Sequence, residues 1–163
     1  MGLALSATDG TACYLPLAHE MGPNLARDQV LGWLALALAD PTVPKVGMNL
    51  KRDSHLLSGF GAPLAGLAFD LGIGSFLCDP GRGHDLDSLA RDLLGVTLPV
   101  LDPETTPRRP RPVMRTSAAA LAVPHVEAVM AERAAVLFPL AEALRAQIES
   151  RDQASLYERL EHR

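Results

Sequence analysis

Three observations in the sequence predict an α/β protein whose mixed sheet is flanked by helices. First, two apolar runs, Gly2 to Ala7 and Ala12 to Ala18, enclose Thr8-Asp9-Gly10-Thr11. Asp-Gly between apolar runs is a hairpin signal, because both residues accept the turn conformations that match strand twist. Second, two further β segments, Val43 to Met48 and Leu64 to Phe69, each run directly into a helix start. Third, the chain from Thr116 onward is rich in Ala and reads as helix. The order strand, strand, helix, strand, helix, strand, helices is that of a sheet covered by helices.

Taken in chain order, the hairpin is followed by a loop from His19 to Pro23, after which Asn24 is placed to cap a helix. Leu25 to Ala39 carries Val30, Leu31, Leu34 and Leu38 at helical spacing, and Trp33 reads as a packing residue rather than a base-stacking platform. Asp40-Pro41 ends that helix. A short helix from Lys51 stops near Gly59 or Gly61. Asp70 to Leu77 continues as helix although Gly72 and Gly74 weaken it. Asp79 to Gly83 is a turn, Leu86 to Leu94 a helix, and Gly95 its stop. The proline-rich stretch from Pro99 to Pro112, with Arg108, Arg109 and Arg111, reads as an exposed connector. Pro124 and Pro139 interrupt or kink the following helices. Ser155 to Arg163 forms a last amphipathic piece with Leu156, Tyr157 and Leu160 on one face.

With 163 residues, 48% hydrophobic and 21% charged, the chain is long and apolar enough for a packed core. A net charge of −4 argues against a stand-alone nucleic-acid-binding module, which needs a basic surface. Cys13 and Cys78 show no metal-ligand spacing and read as two buried free thiols of a reducing compartment. Leu31 to Leu38 is too short to span a bilayer, and the N-terminus lacks the pattern of a signal peptide. A cytoplasmic location without membrane contact is the expectation.

The most informative stretch is Val43 to Asp70. Its first β segment delivers Asn49 and then, four residues later, Asp53 into the start of a helix, with Lys45, Gly47, Leu50 and Lys51 in register around them. Gly66-Leu67-Ala68-Phe69-Asp70 closes the stretch, and Gly83-His84-Asp85-Leu86-Asp87-Ser88-Leu89-Ala90-Arg91 follows. This pattern resembles the second motif (N-x-x-x-D) of DEDD-type 3'-5' exonucleases, most closely the proofreading domain of family-A DNA polymerases. The resemblance is strong from Val43 to Val96 and weaker from Thr116. It implies a ribonuclease H-like fold, with 1–150 as an exonuclease-like domain and 151–163 as the start of a link toward a polymerase domain.

The resemblance also implies a chemistry. Such exonucleases hydrolyse a phosphodiester with two divalent metals, which need several oxygen ligands. The family supplies four acids: an Asp and a Glu on the first strand, one Asp in the second motif and one on a late helix. Asp53 matches the second-motif acid and Asn49 its partner; without the flanking matches, Asp53 alone would read as an acid favoured at a helix N-terminus. The first motif is missing, since the chain begins at what looks like the family's second strand, so a gap or exposed edges are expected in the sheet. In the third motif Val129 falls at the Tyr position and Arg133 at the Asp position, while Glu127 and Glu132 read as helix-surface acids. The resemblance therefore implies vestigial site residues, Asp53 and Asn49, with Asp53 as the only weak candidate metal ligand. Asp70 reads as a helix cap or as a support behind the site. His84, Asp85 and Asp87 look like a metal cluster in isolation, but the resemblance implies that Asp85 and Ser88 organise a helix start with His84 in the preceding turn, and the capping role is preferred.

The expectation is an exonuclease-like domain of a DNA replication and repair polymerase that is itself catalytically inactive. No cofactor is expected, with Mg²⁺ or Mn²⁺ bound only if the site is active, and no nucleic-acid-binding residue stands out. The implied partner is the polymerase domain of the same or a parent chain, and DNA through it. A guanidinium at Arg133 could replace the metal by pairing with Asp53. Two alternatives are a stand-alone metal-dependent exonuclease of the ribonuclease D type and a non-catalytic partner-binding scaffold.

Overall fold

A computed structural model describes residues 2–101 and 117–161. The arginine and proline connector from Pro103 to Pro112 lies outside the described residues. The chain divides into two compact units, Met1–Val30 with Leu98–Ala135, and Leu31–Thr97 with Val136–Arg163.

In the first unit, β1 (Gly2–Ser6) pairs antiparallel with β2 (Ala12–Pro16), with Leu3 opposite Leu15 and Ala4 opposite Tyr14. The turn is the predicted one. Gly10 adopts φ +85, and Asp9 Oδ1 accepts the Thr11 amide at 2.8 Å. Helix α5 (Val123–Ala135) packs on both strands and buries Val123, Val126, Val129 and Ala134. Ser6 Oγ donates to Ala134 O at 2.8 Å, which fixes the strand to the helix end. The Tyr14 hydroxyl and His19 Nε2 share a buried 2.7 Å hydrogen bond.

Two expectations fail here. Asn24 does not cap the following helix; its side chain brackets His19, accepting from the His19 amide and donating to the His19 carbonyl. Those bonds hold the loop, and helix α1 starts later, at Arg27 (Arg27–Ala39). Cys13 is exposed rather than buried, because strand alternation turns it away from the side on which its neighbour Tyr14 is buried.

In the second unit, β3 (Lys45–Gly47) and β4 (Leu67–Asp70) pair in parallel, Val46 opposite Phe69 and Gly47 opposite Asp70. Helix α2 (Leu50–Ser58) leaves β3, and α3 (Leu71–Cys78) leaves β4. Helix α4 (Leu86–Leu89) runs on as a wider π turn to Leu94 and stops at Gly95, which is left-handed with φ +69. Helices α6 (Leu137–Ser150) and α7 (Ala154–Glu161) complete the unit. Phe69, Leu71, Leu89, Leu140, Leu144 and Tyr157 form its core. A smaller cluster joins Leu31 and Leu38 of α1 to Ala62.

The predicted mixture of antiparallel and parallel pairing is present as two separate two-stranded sheets. Pro124 and Pro139 do not kink helix interiors. Each stands in the first turn of its helix, α5 or α6, where a missing N–H costs nothing. Trp33 is 65% exposed and Leu36 87% exposed, because the helical rotation carries both off the Leu31, Leu34, Leu38 stripe. Of the three apolar residues expected on one face of α7, only Tyr157 is buried. Among the described residues, no helix is long and apolar enough to cross a membrane.

Candidate functional site: the helix start that carries Asp53

Strand β3 ends at Gly47, and the chain turns through Met48 and Asn49 into α2, so Asp53 falls in that helix's first turn. The Asp53 amide bonds the Asn49 carbonyl at 3.1 Å. The Asn49 side chain makes no capping bond and is exposed. The cap comes instead from twenty residues downstream. Asp70 Oδ2 accepts the Leu50 amide at 2.7 Å. Asp70 Oδ1 accepts the amides of Gly72 and Ile73 at 2.9 and 3.3 Å. One buried carboxylate thus closes the N-termini of both α2 and α3.

The backbone of Asp70 is held in turn. Its N–H donates to the Tyr157 hydroxyl at 2.8 Å, and the Tyr157 ring stacks on Phe69 at 4.8 Å. The Arg145 guanidinium lies 4.7 Å above the Phe69 ring and donates to Ala68 O at 3.3 Å. Gly74 makes room for this stack, since a Cβ there would come within 2.7 Å of Phe69 Cζ.

Asp53 is at the surface, yet the protein packed around its carboxyl raises its pKa above the ordinary value. The nearby charge of Asp70 adds to the rise and Arg52 opposes it. Burial of the carboxyl is the main cause, and the Asp70 charge is a smaller one.

The His84 to Ser88 stretch resolves as expected. Asp85 Oδ1 accepts the Ser88 amide at 2.9 Å and Oδ2 the Ser88 hydroxyl at 2.8 Å, which caps α4 and holds the Asp85 carboxyl below its usual range. His84 Nδ1 instead bonds the buried Ser75 hydroxyl at 2.8 Å, with its ring edge-on to Phe76. His84 and Asp85 therefore face different partners.

In α5, Val129 is buried, and Glu127 and Glu132 are exposed. Arg133 Nη1 donates to Pro99 O at 3.1 Å. Arg133 belongs to the first unit and Asp53 to the second.

Among the described residues no three His, Cys, Asp or Glu side chains gather to hold a metal ion. Asp70, the second carboxylate near Asp53, has both oxygens engaged by main-chain amides. The described residues therefore do not fit a pair of divalent metals.

The sequence profile of the 3'-5' exonuclease domain of family-A DNA polymerases matches residues 2–108. The chain belongs to that family. DNA polymerase I of Pseudomonas aeruginosa is 40% identical over 101 residues, covering 58% of this chain and 11% of that protein. DNA polymerase I of Chloroflexus aurantiacus is 30% identical over 106 residues, covering 65% and 11%. The chain thus spans about a tenth of the length of these curated relatives.

A solved structure, the POL domain of Pol1 from M. smegmatis in complex with DNA primer-template and dNTP, superimposes with a TM-score of 0.68 and 27% identity. It covers 96% of this chain, while the chain covers 22% of it. The α/β architecture is therefore one found within a polymerase-family protein. This is the ribonuclease H-like class expected from Asn49, Asp53 and the segment around Asp85.

The sequence marks Asp70 as a capping residue but does not show its reach to Leu50 or its tie to Tyr157. The Phe69-Asp70 step into a Gly-containing helix was the only available signal for the first. Nothing in the spacing of Tyr157 signalled the second.

Proposed function

We propose that this exonuclease-family chain is catalytically inactive and structural, packing beside and orienting a family-A polymerase domain that handles primer-template DNA in replication and repair. The observation that carries the reading is the donor set at the α2 start. Asp53 has Asp70 as its carboxylate neighbour, and Asp70 is committed to the Leu50, Gly72 and Ile73 amides. Two-metal phosphodiester hydrolysis needs more free oxygen donors than that. Asp53 and Asn49 are then vestiges of the second motif. The cytoplasm is the corresponding compartment, and DNA is reached through the polymerase partner rather than through this chain of net charge −4.

The test is sedimentation of the full chain mixed with a family-A polymerase fragment that lacks its own exonuclease domain. A mixed species at micromolar concentration is expected. Two independent species across that range would contradict the structural role.

A further inference from the structure

We infer that Tyr157 is a positioning residue that ties the seating of the C-terminal helix α7 to the helix start carrying Asp53. The connection is a chain of named contacts within one compact unit. Tyr157 sits on α7 and is buried, with its ring stacked on Phe69 at 4.8 Å and an interplanar angle of 19°. Its hydroxyl accepts the Asp70 amide at 2.8 Å. The same residue, Asp70, turns its carboxylate to Leu50 on one side and to Gly72 and Ile73 on the other. Leu50 is the first residue of α2, and Asp53 lies in its first turn.

Asn49 offers α2 no side-chain cap of its own, so the placement of that helix end depends on Asp70. The last strand residue is thus gripped at its amide by α7 and grips two helix ends with its carboxylate. A shift of α7 by the length of one hydrogen bond moves the Asp70 backbone, and the carboxylate must then give up part of its three-amide geometry. The Arg145 guanidinium over Phe69 braces the strand at Ala68 O, whereas the Tyr157 hydroxyl bonds Asp70 itself. Whatever lifts or seats α7 therefore loosens or tightens the first turn of α2.

The test is Tyr157→Phe in the full chain, which keeps the ring stack and removes the hydroxyl. Amide hydrogen exchange and carboxyl titration are followed by NMR. The Leu50 and Gly72 amides are expected to exchange about five- to tenfold faster, as loss of one net hydrogen bond implies. The Leu140 and Leu144 amides of α6 stay unchanged. The Asp53 carboxyl titrates at lower pH than in the parent, because the Asp70 charge that helps to raise it is no longer fixed. Acceleration confined to the Asp70 amide, with Asp53 unmoved, would overturn the coupling. Equal acceleration at Leu140 and Leu144 would overturn it too, since Tyr157 would then be an ordinary core residue. Neither readout depends on nuclease activity, so failure here is distinct from failure of the functional reading.

Discussion

Leu50 and Asp70 are twenty residues apart in sequence and joined by a 2.7 Å hydrogen bond from main chain to carboxylate. That bond explains how two short strands can hold two helix starts in fixed register. The strands pair through three positions, and a register irregularity lies between Lys45 and Val46. Asp70 supplies the fixed point which so short a ladder does not.

Asp70→Ala removes the cap of α2 and of α3 together. Each cap is worth on the order of 1 kcal/mol, and buried amides left without an acceptor add to the loss. Urea denaturation should show a fall of roughly 2–4 kcal/mol. Asp70→Asn should fall less, because its single amide oxygen still serves one of the two helices.

Asp53 behaves in the opposite way. Its folded pKa is raised above 3.8, so the folded chain binds this proton more tightly than the unfolded chain does. Ionisation therefore lowers stability as pH rises from about 3.8 through the raised folded value. Asp53→Asn is free of that term. Its Tm should exceed the parent's by about 1–2 °C at pH 7, a small gain because the group is exposed. The gain should vanish as the pH falls below the ordinary carboxylate value. Melting curves from pH 7 to pH 3.5 check the sign.

Gly74→Ala sets helix propensity against packing. Alanine gains about 1 kcal/mol in a helix interior. Its methyl group would meet the Phe69 ring at 2.7 Å, and that ring is clamped between Tyr157 and Arg145. Overpacking of a fixed core group costs about 1–3 kcal/mol, so the net change should be destabilising. Thermal denaturation of the variant gives the answer; a gain in stability would mean that the ring can yield.

The local elements were legible because local chemistry specified them. Asp9-Gly10 makes the hairpin, and Asp85 with Ser88 opens the helix that Gly95 ends. The segment around Asn49 and Asp53 was legible as a family motif. Residues that answer to distant partners were not. Asn24 is of a capping type but binds the main chain of His19, and Asn49 yields its capping role to Asp70. Trp33 reads as a packing residue in the sequence, and only the burial of the Leu31 stripe shows which face of α1 points inward. Cys13 was misplaced for the same reason, since a pair of strands alone has one face covered by α5 and another that is not.

We propose that the Asp53 site does not assemble a working two-metal centre. The most direct measurement is release of nucleotides from a 3'-labelled single DNA strand by the folded chain with Mg²⁺ or Mn²⁺, beside Asp53→Ala. The expected result is the same background for both proteins at every metal concentration. Metal-dependent shortening from the 3' end that disappears in Asp53→Ala would mean that a working metal site is assembled and make this chain an active exonuclease.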